Sequence, residues 1–215
     1  MFLTELEKEL FEDAEIGTLS MSLPQAAFIA SGVDSTQLKP YMRTFFDMTT
    51  DLRNHVKGYD QVKNAEVIFD WLWKTKPNRY ELEGNFRLTQ VVDAYLDEKE
   101  RVGNCLGLTM LYNSLAQALN LPMKAAHLDN FMGRPHVFSM LYTETSMIPI
   151  ENIFRDGFDY DQHKHNPQLV EWDNIHLIAD LYNSRANEEG DDELRMKRDL
   201  LLSYALQTHI TQDSD

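Results

Sequence analysis

Cysteine, basic side chains and long apolar runs are all scarce in this 215-residue sequence. Its single cysteine, Cys105, cannot form an internal disulfide, and structural zinc sites built from four cysteines are excluded. Lys and Arg number 20 against 35 Asp and Glu, which gives a formal net charge of −15. Such a charge repels phosphate backbones and anionic lipid surfaces, so we expect neither nucleic acid nor membrane among the partners.

No stretch of about 18 apolar residues occurs, and the first residues lack the basic start and apolar run of a signal peptide. We therefore expect a soluble protein of the cytoplasm, where Cys105 stays reduced. The composition is that of an ordinary globular chain, with 43% hydrophobic and 26% charged residues. This length suffices for one core, so we expect a main domain over 1–173 and a C-terminal helical hairpin over 174–215. The oligomeric state does not follow from the sequence.

Apolar residues recur at helical spacing through the first half of the chain. The segments with this period lie at 3–12, after Pro24, at 36–57, at 65–73 and at 89–95. The polar run DEKERVGN then leads to Cys105, and regularly spaced leucines predict one more helix that ends near Pro122. This part of the chain is expected to form a helical layer.

Short segments rich in strand-compatible residues follow, at 123–128, 136–142 and 147–153. The polar residues 143–146 between the last two suit a hairpin turn. Together with the helices they predict an α+β fold, in which the helix after Cys105 packs on a small antiparallel sheet. From residue 174 the helical period returns in two segments, and the acidic run NEEGDDE between them is interpreted as a solvated loop.

Cys105 lies where a loop is expected to enter a helix. The preceding Asn104 is a favourable N-cap residue, so Cys105 is expected in the first helical turn, near unpaired backbone N–H groups. A helix N-terminus carries roughly half a positive charge, and cysteines in such surroundings can have a pKa of roughly 3.5–7.5 rather than about 8.5. The position suits a thiolate nucleophile, and the neighbouring N–H groups could stabilise an oxyanion.

A nucleophilic cysteine needs a base, and His136 begins the first strand of the predicted hairpin. A hairpin loop with an even number of residues places Glu151 opposite Phe138, on the face of His136 and diagonal to it. A carboxylate there would orient the imidazole and stabilise its charged form. A loop with an odd number of residues would instead present Asn152, because a slip of one residue turns every side chain to the other face.

Three segments, GNCLGLTMLYNSLAQALNLP, HVFSMLY and IPIEN, resemble the transglutaminase-like superfamily, and YELEGNFRLTQVVDAYLDEKERVGNC resembles its SirB1-type branch. The resemblance covers roughly residues 23–153. It implies a papain-like cysteine peptidase core without a cofactor, in which Cys105 is the nucleophile, His136 the general acid/base and Glu151 the orienting acid, where many members have Asp. The segment LIADLYNSRANEEGDDELRMKRDLLLSYAL resembles a degenerate tetratricopeptide-type helix pair.

Two functions of different class are compatible with these residues. An enzyme would attack an amide or ester carbonyl through Cys105, and the thioester intermediate would be resolved by water or an amine. Its substrate would be a peptide, a protein or a small amide or ester. A binding module would hold a peptide or protein partner in the same cleft without chemistry, as relatives that lack the cysteine imply.

Two pairs of possible metal ligands are His127 with Asp129 and His163 with His165. Neither pair has a third and a fourth ligand at a recognisable spacing, so no metal site is predicted. We interpret both pairs as parts of solvated loops.

Overall fold

The computed structural model of the chain describes residues 1–56, 58–97 and 101–212, with side chains as far as residue 206. Over these residues it is an arrangement of helices and one small antiparallel sheet, the α+β class that the sequence predicts. The helices are α1 (Glu5–Ala14), α2 (Leu23–Ala30), α3 (Ser35–Arg53), α4 (Gln61–Thr75), α5 (Leu88–Leu96), α6 (Cys105–Ala118), α7 (Asn174–Glu189) and α8 (Asp192–Gln212). The strands are β1 (Met123–Phe131), β2 (Arg134–Tyr142), β3 (Met147–Ile150) and β4 (Val170–Trp172).

Capping residues set several of the helix starts. The side chain of Thr4 accepts a hydrogen bond from the Glu7 N–H and caps α1. Helix α1 therefore begins at Glu5, two residues later than the apolar period alone predicts. The side chain of Asp34 caps α3 in the same way, and α3 ends at Arg53. The predicted continuation of this helix is wrong for residues 54–56, which form a turn and a bend that begin at the C-cap Asn54. Residue 57, and residues 98–100 of the connecting run DEKERVGN, lie outside the described residues.

The sheet has the order β3-β2-β1-β4, and its neighbouring strands are antiparallel. In the β2–β3 hairpin Ser139 faces Ile150, which is the register that an even loop predicts. Residues 143–146 form the loop as expected, closed by a hydrogen bond from the Thr143 N–H to the Ser146 carbonyl at 2.9 Å. This register puts residue 151 opposite Phe138 when the strands are continued.

One predicted strand needs correction, and one strand was missed. The third strand ends at Ile150 rather than at residue 153, because the next N–H, that of Glu151, donates to the carbonyl of Gly157 at 2.8 Å and the chain turns away. The strand β4 was not predicted, since three residues are too few to show an alternating pattern.

Helix α6 is buried along most of its length between the sheet and the surrounding helices. Its polar side chains bond to the backbone of the elements around it. Thr109 donates to the Val137 carbonyl at 3.2 Å, Tyr112 to the Ala65 carbonyl at 2.8 Å and Asn113 to the Lys124 carbonyl at 3.0 Å. These bonds fix the rotation and height of α6 against the sheet and against α4.

The acidic run NEEGDDE is mostly helical, contrary to the loop interpretation. Helix α7 continues to Glu189 and ends at Gly190, which adopts the left-handed conformation with φ 68° that glycine permits at a helix C-terminus. Helix α8 begins at Asp192. One hydrophobic core includes residues from both sides of the predicted division at residue 173, which stays a prediction. Every described helix is either too short or too polar to cross a membrane.

A buried ion pair joins the two ends of the chain. Lys197 of α8 donates to both carboxylate oxygens of Glu7 in α1, at 2.7 and 2.9 Å, and the Tyr182 hydroxyl of α7 adds a bond at 3.1 Å. Burial alone would raise the pKa of Glu7, but the bonds from Lys197 and Thr4 outweigh it and lower the pKa. The contact therefore keeps α1 on the C-terminal helix pair.

Replacement of Lys197 by Met should destabilise the protein by about 3 kcal/mol, because a buried carboxylate loses its cation. The double variant Glu7→Gln, Lys197→Met should recover most of this loss. Urea unfolding measures both, with Lys8→Met as the control, since Lys8 bonds Glu5 at the surface. A loss in Lys197→Met no larger than in Lys8→Met would contradict this assignment.

Candidate active site

Cys105 is the first residue of α6, as predicted. The side chain of Asn104 accepts from the Gly107 N–H at 3.1 Å and is the N-cap, which confirms its expected structural role. The side chain of Cys105 is partly accessible at this end of an otherwise buried helix. Within the described residues, the backbone N–H groups of Cys105 and Leu106 donate to no protein acceptor. The thiol therefore lies beside free donors in the positive end of the helix dipole.

The loop that contains Asn85 holds this helix end in place. The Asn104 N–H donates to the Asn85 carbonyl at 3.0 Å, and the Asn85 side chain donates to the Val102 carbonyl at 3.1 Å. A Cβ atom on Gly107 would lie 2.4 Å from the same carbonyl oxygen of Asn85. Only glycine permits this approach, so Gly107 lets the loop close on the start of α6.

We expect Gly107→Ala to lower the free energy of unfolding by about 1–3 kcal/mol, because backbone atoms must move apart. In an ordinary helix interior the same change stabilises by roughly 0.5–1 kcal/mol. The shift of the helix start should also slow alkylation of Cys105. Thermal unfolding and iodoacetamide labelling measure the two effects, and a raised melting temperature would contradict the steric argument.

His136 and Glu151 meet in the interior. The Nε2 atom of His136 lies 2.6 Å from Oε2 of Glu151, and their side chains are 6% and 0% exposed. Oε1 of Glu151 accepts from the Ile153 N–H at 3.2 Å. Burial would raise the pKa of Glu151, but hydrogen bonds from His136 and His163 outweigh it and hold the pKa below its usual value.

The pKa of His136 depends on Cys105 as well as on Glu151, so its imidazole lies within interaction range of both the thiol and the carboxylate. Burial would lower the pKa of His136, but the hydrogen bonds with Cys105 and Glu151 outweigh burial and raise the pKa to about 9. Because Nε2 bonds Glu151, the ring atom left for Cys105 is Nδ1. The imidazole is thus charged at neutral pH and lies between two groups that favour its charge.

Asn152, the alternative acid-position residue, does not contact His136. Its Nδ2 atom donates to the Ser139 hydroxyl at 2.8 Å and to the Thr109 hydroxyl at 3.3 Å. It therefore connects β2 with α6 and has a packing role. Because the hairpin loop has an even number of residues, Glu151 lies on the face of the sheet that carries His136, and Asn152 lies on the face packed against α6.

His163 belongs to the same cluster, and its interpretation as part of a solvated loop was wrong. It ends a short 3-10 helix, Asp161–His163, its side chain is 1% exposed, and its Nε2 atom lies 2.8 Å from Oε2 of Glu151. Its ring stacks on Phe138 with the centroids 4.1 Å apart. No apolar period runs through this irregular segment, so the sequence holds no signal for its burial. His165 is exposed, and His127 stacks on Trp172.

His136, Glu151 and His163 are also a possible metal-ligand set, with one ligand atom from each residue within 4.8 Å of the others. Their geometry fits hydrogen bonding better. Both Nε2 atoms lie at hydrogen-bond distance from one oxygen, and Nδ1 of His163 has no partner in the described part of the chain. A histidine bound to a metal normally donates from its other nitrogen.

The raised pKa of His136 predicts a pH-dependent contribution to stability. An unfolded histidine has a pKa of about 6.5, so the contribution is complete below that pH and is lost as the pH rises through about 9. Glu151 has a lowered pKa, and its contribution is complete above about 4.5 and lost at lower pH. The unfolding free energy of wild type minus that of His136→Gln should therefore be largest near pH 5 to 6.5.

Urea unfolding across this pH range tests the sign, with His127→Gln as the control. Burial lowers the pKa of His127, so its effect on stability should run the other way and weaken the fold as the pH falls below about 6.5. Equal pH slopes for the two variants would contradict the charge assigned to His136.

Comparison with known proteins adds a structural similarity to these observations. No family model matches the chain, and no curated protein matches it. Among solved structures, Legionella pneumophila LapG is similar with a TM-score of 0.40 and 12% sequence identity, covering 70% of this chain and 82% of that chain. At this TM-score and identity, neither the fold nor the activity of this chain follows from the similarity.

Proposed function

We propose that this chain is a cysteine-dependent hydrolase or acyl transferase of the transglutaminase-like superfamily. Cys105 is the nucleophile, His136 the general acid/base and Glu151 the residue that orients the imidazole. The observation that carries the proposal is the hydrogen bond between the buried Glu151 and His136, with Cys105 in interaction range of this imidazole at the N-terminus of a buried helix. The resemblance of the segments around these three residues to the SirB1-type branch supports the same assignment.

The chemistry follows from the positions of the donors and acceptors. The sulfur of Cys105 attacks an amide or ester carbonyl, a C–S bond forms, and the free N–H groups at the start of α6 stabilise the developing oxyanion. His136 gives its Nδ1 proton to the leaving amine or alcohol as the C–N or C–O bond breaks. Water or an amine then attacks the thioester while His136 takes its proton, and the thiolate leaves.

Glu151 holds the imidazole with Nε2–H towards the carboxylate and Nδ1 towards the thiol. Its negative charge stabilises the imidazolium at each step in which His136 carries the second proton. Because the carboxylate is fully buried, water does not screen this interaction.

The domain division and the location belong to the same proposal. Residues 1–173 would be the catalytic domain, and α7 with α8 would be a tetratricopeptide-type helix pair appended to it. A single cysteine that serves as a free thiol suits the cytoplasm. Peptides, proteins and small amides or esters are the substrate classes to test.

A second candidate is a binding module without chemistry. A cavity of about 400 Å³ lies between the sheet and the helix pair, lined among others by His127, Trp172, Asp180 and Arg198. It combines aromatic surface with charges of both signs, which suits a peptide segment. A partner retained equally by wild type and Cys105→Ala, with no thiol-dependent activity, would favour this function.

Iodoacetamide alkylation of Cys105, followed as a function of pH, tests the catalytic proposal. At about pH 6 wild type should react at least tenfold faster than His136→Ala, because the imidazolium stabilises the thiolate. Cys105→Ala, which lacks the only cysteine, reports labelling at other side chains.

Hydrolysis of a panel of amide and ester substrates should fall at least about a hundredfold in Cys105→Ala, since the nucleophile is removed. Alkylation profiles that coincide for wild type and His136→Ala, or hydrolysis that persists in Cys105→Ala, would exclude the proposed mechanism.

A further inference from the structure

Glu151 bonds to a second buried imidazole that the proposed mechanism does not use. Oε2 of Glu151 lies 2.6 Å from Nε2 of His136 and 2.8 Å from Nε2 of His163. An ionised carboxylate can only accept hydrogen bonds, so both Nε2 atoms carry a proton. The two rings come from different elements, β2 and the 3-10 helix, and converge on one oxygen.

The other ring nitrogens separate the roles of the two histidines. Nδ1 of His136 faces Cys105, so His136 can hold a proton there. Nδ1 of His163 is buried and meets no polar group in the described residues. A proton on it would be an unsatisfied donor on a buried cation, which costs far more than an unsatisfied neutral acceptor. His163 is therefore neutral, with its single proton on Nε2.

The surroundings of His163 hold the ring in one orientation. It stacks on Phe138, and its edge meets Phe131 and Tyr160 at centroid distances of 4.9 Å. The 3-10 helix fixes its backbone through a bond from the His163 N–H to the Tyr160 carbonyl at 3.1 Å. Glu151 is itself fully buried, so no solvent donor is at hand to replace Nε2–H.

We propose that His163 is a positioning residue of the site, a fixed neutral donor that keeps Glu151 ionised and turned towards His136. The inference rests on the proposed function for its consequence, since it acts through Glu151 and His136 on the thiol. Without the donor, the buried carboxylate takes up a proton at higher pH. The imidazolium then loses its counter-charge, and the Cys105–His136 pair returns to thiol and neutral imidazole.

Few other ionisable groups face this cluster. Tyr80 precedes α6 and lies within electrostatic range of Cys105 and Glu151, while Tyr160 feels the charges of Glu151 and Asp156. Burial raises the pKa of both tyrosines, so neither changes charge in the acidic range. His127 also lies within electrostatic range of His136, and burial lowers its pKa. The acid limb of a pH profile, where the alkylation rate falls as the pH is lowered, therefore reports Cys105, His136 and Glu151 together with His127.

The test compares alkylation of Cys105 from about pH 4 to about 9 in wild type, His163→Phe and His163→Gln. Phe keeps the ring stacking and removes the donor, so the acid limb should move to higher pH by about 1 to 2 units, as loss of one bond to a charged group requires. The amide of Gln can donate from the position of Nε2, so its limb should stay within about 0.5 unit of wild type. His165→Phe, the same change at an exposed histidine two residues further along the chain, should leave the limb in place.

An unchanged limb in His163→Phe, or an equal shift in the Gln variant, would overturn the proposal, because ring packing alone would then explain the residue. Nitrogen-15 NMR of wild-type histidine side chains gives an independent reading that requires no variant. At neutral pH it should find the proton of His163 on Nε2 and none on Nδ1, and a proton on Nδ1 would also overturn the proposal.

The two proposals can fail separately. If no substrate is turned over but the NMR tautomer and the alkylation shift are as expected, His163 positions a reactive thiol whose chemistry is not hydrolysis or transfer. If hydrolysis depends on Cys105 and His136 but not on the donor at position 163, the proposed function stands and the role of His163 does not.

Discussion

The carboxylate of Glu151 is fully buried, and the groups packed around it donate hydrogen bonds to its oxygens. A buried carboxylate without partners would cost several kcal/mol or become protonated. Three groups bond to it, the imidazoles of His136 and His163 and the backbone N–H of Ile153. They come from β2, from the 3-10 helix and from the segment after β3. The chain between Ile150 and His163 therefore folds around this carboxylate and brings two of its three donors to it.

Close packing of backbone makes that closure possible. The Glu151 N–H bonds to the Gly157 carbonyl, and a Cβ atom on Gly157 would lie 2.0 Å from the Glu151 carbonyl oxygen. At the other end of the site, Gly107 allows the carbonyl of Asn85 to approach α6. Two glycines thus allow the loops to hold the acid and the thiol at fixed positions relative to His136. The charges then couple through short hydrogen bonds in a medium of low polarity, where each bond is stronger than in water.

Parts of this site could be predicted from the sequence because their causes are local. Asn104 before Cys105 caps the helix through its own side chain, three residues from the group it bonds. The sequence limited the acid to Glu151 or Asn152, because side chains alternate along a strand, and the even loop of the structure places Glu151 on the face of His136. The acidic run after residue 186 shows the limit of composition, since its residues continue α7 and begin α8 on either side of Gly190.

The sequence by itself therefore determined the helix start at Cys105 and the α+β class, because period and capping act over a few residues. It left two hairpin registers open, and the structure has the one with an even loop. Only the tertiary structure decided that His163 is buried and bonds Glu151, that Asn85 supports the start of α6, and that Glu7 pairs with Lys197. The physical reason is the same in each case. These contacts join segments without a shared period, and their partners are chosen by which polar groups are left unsatisfied once the core has packed.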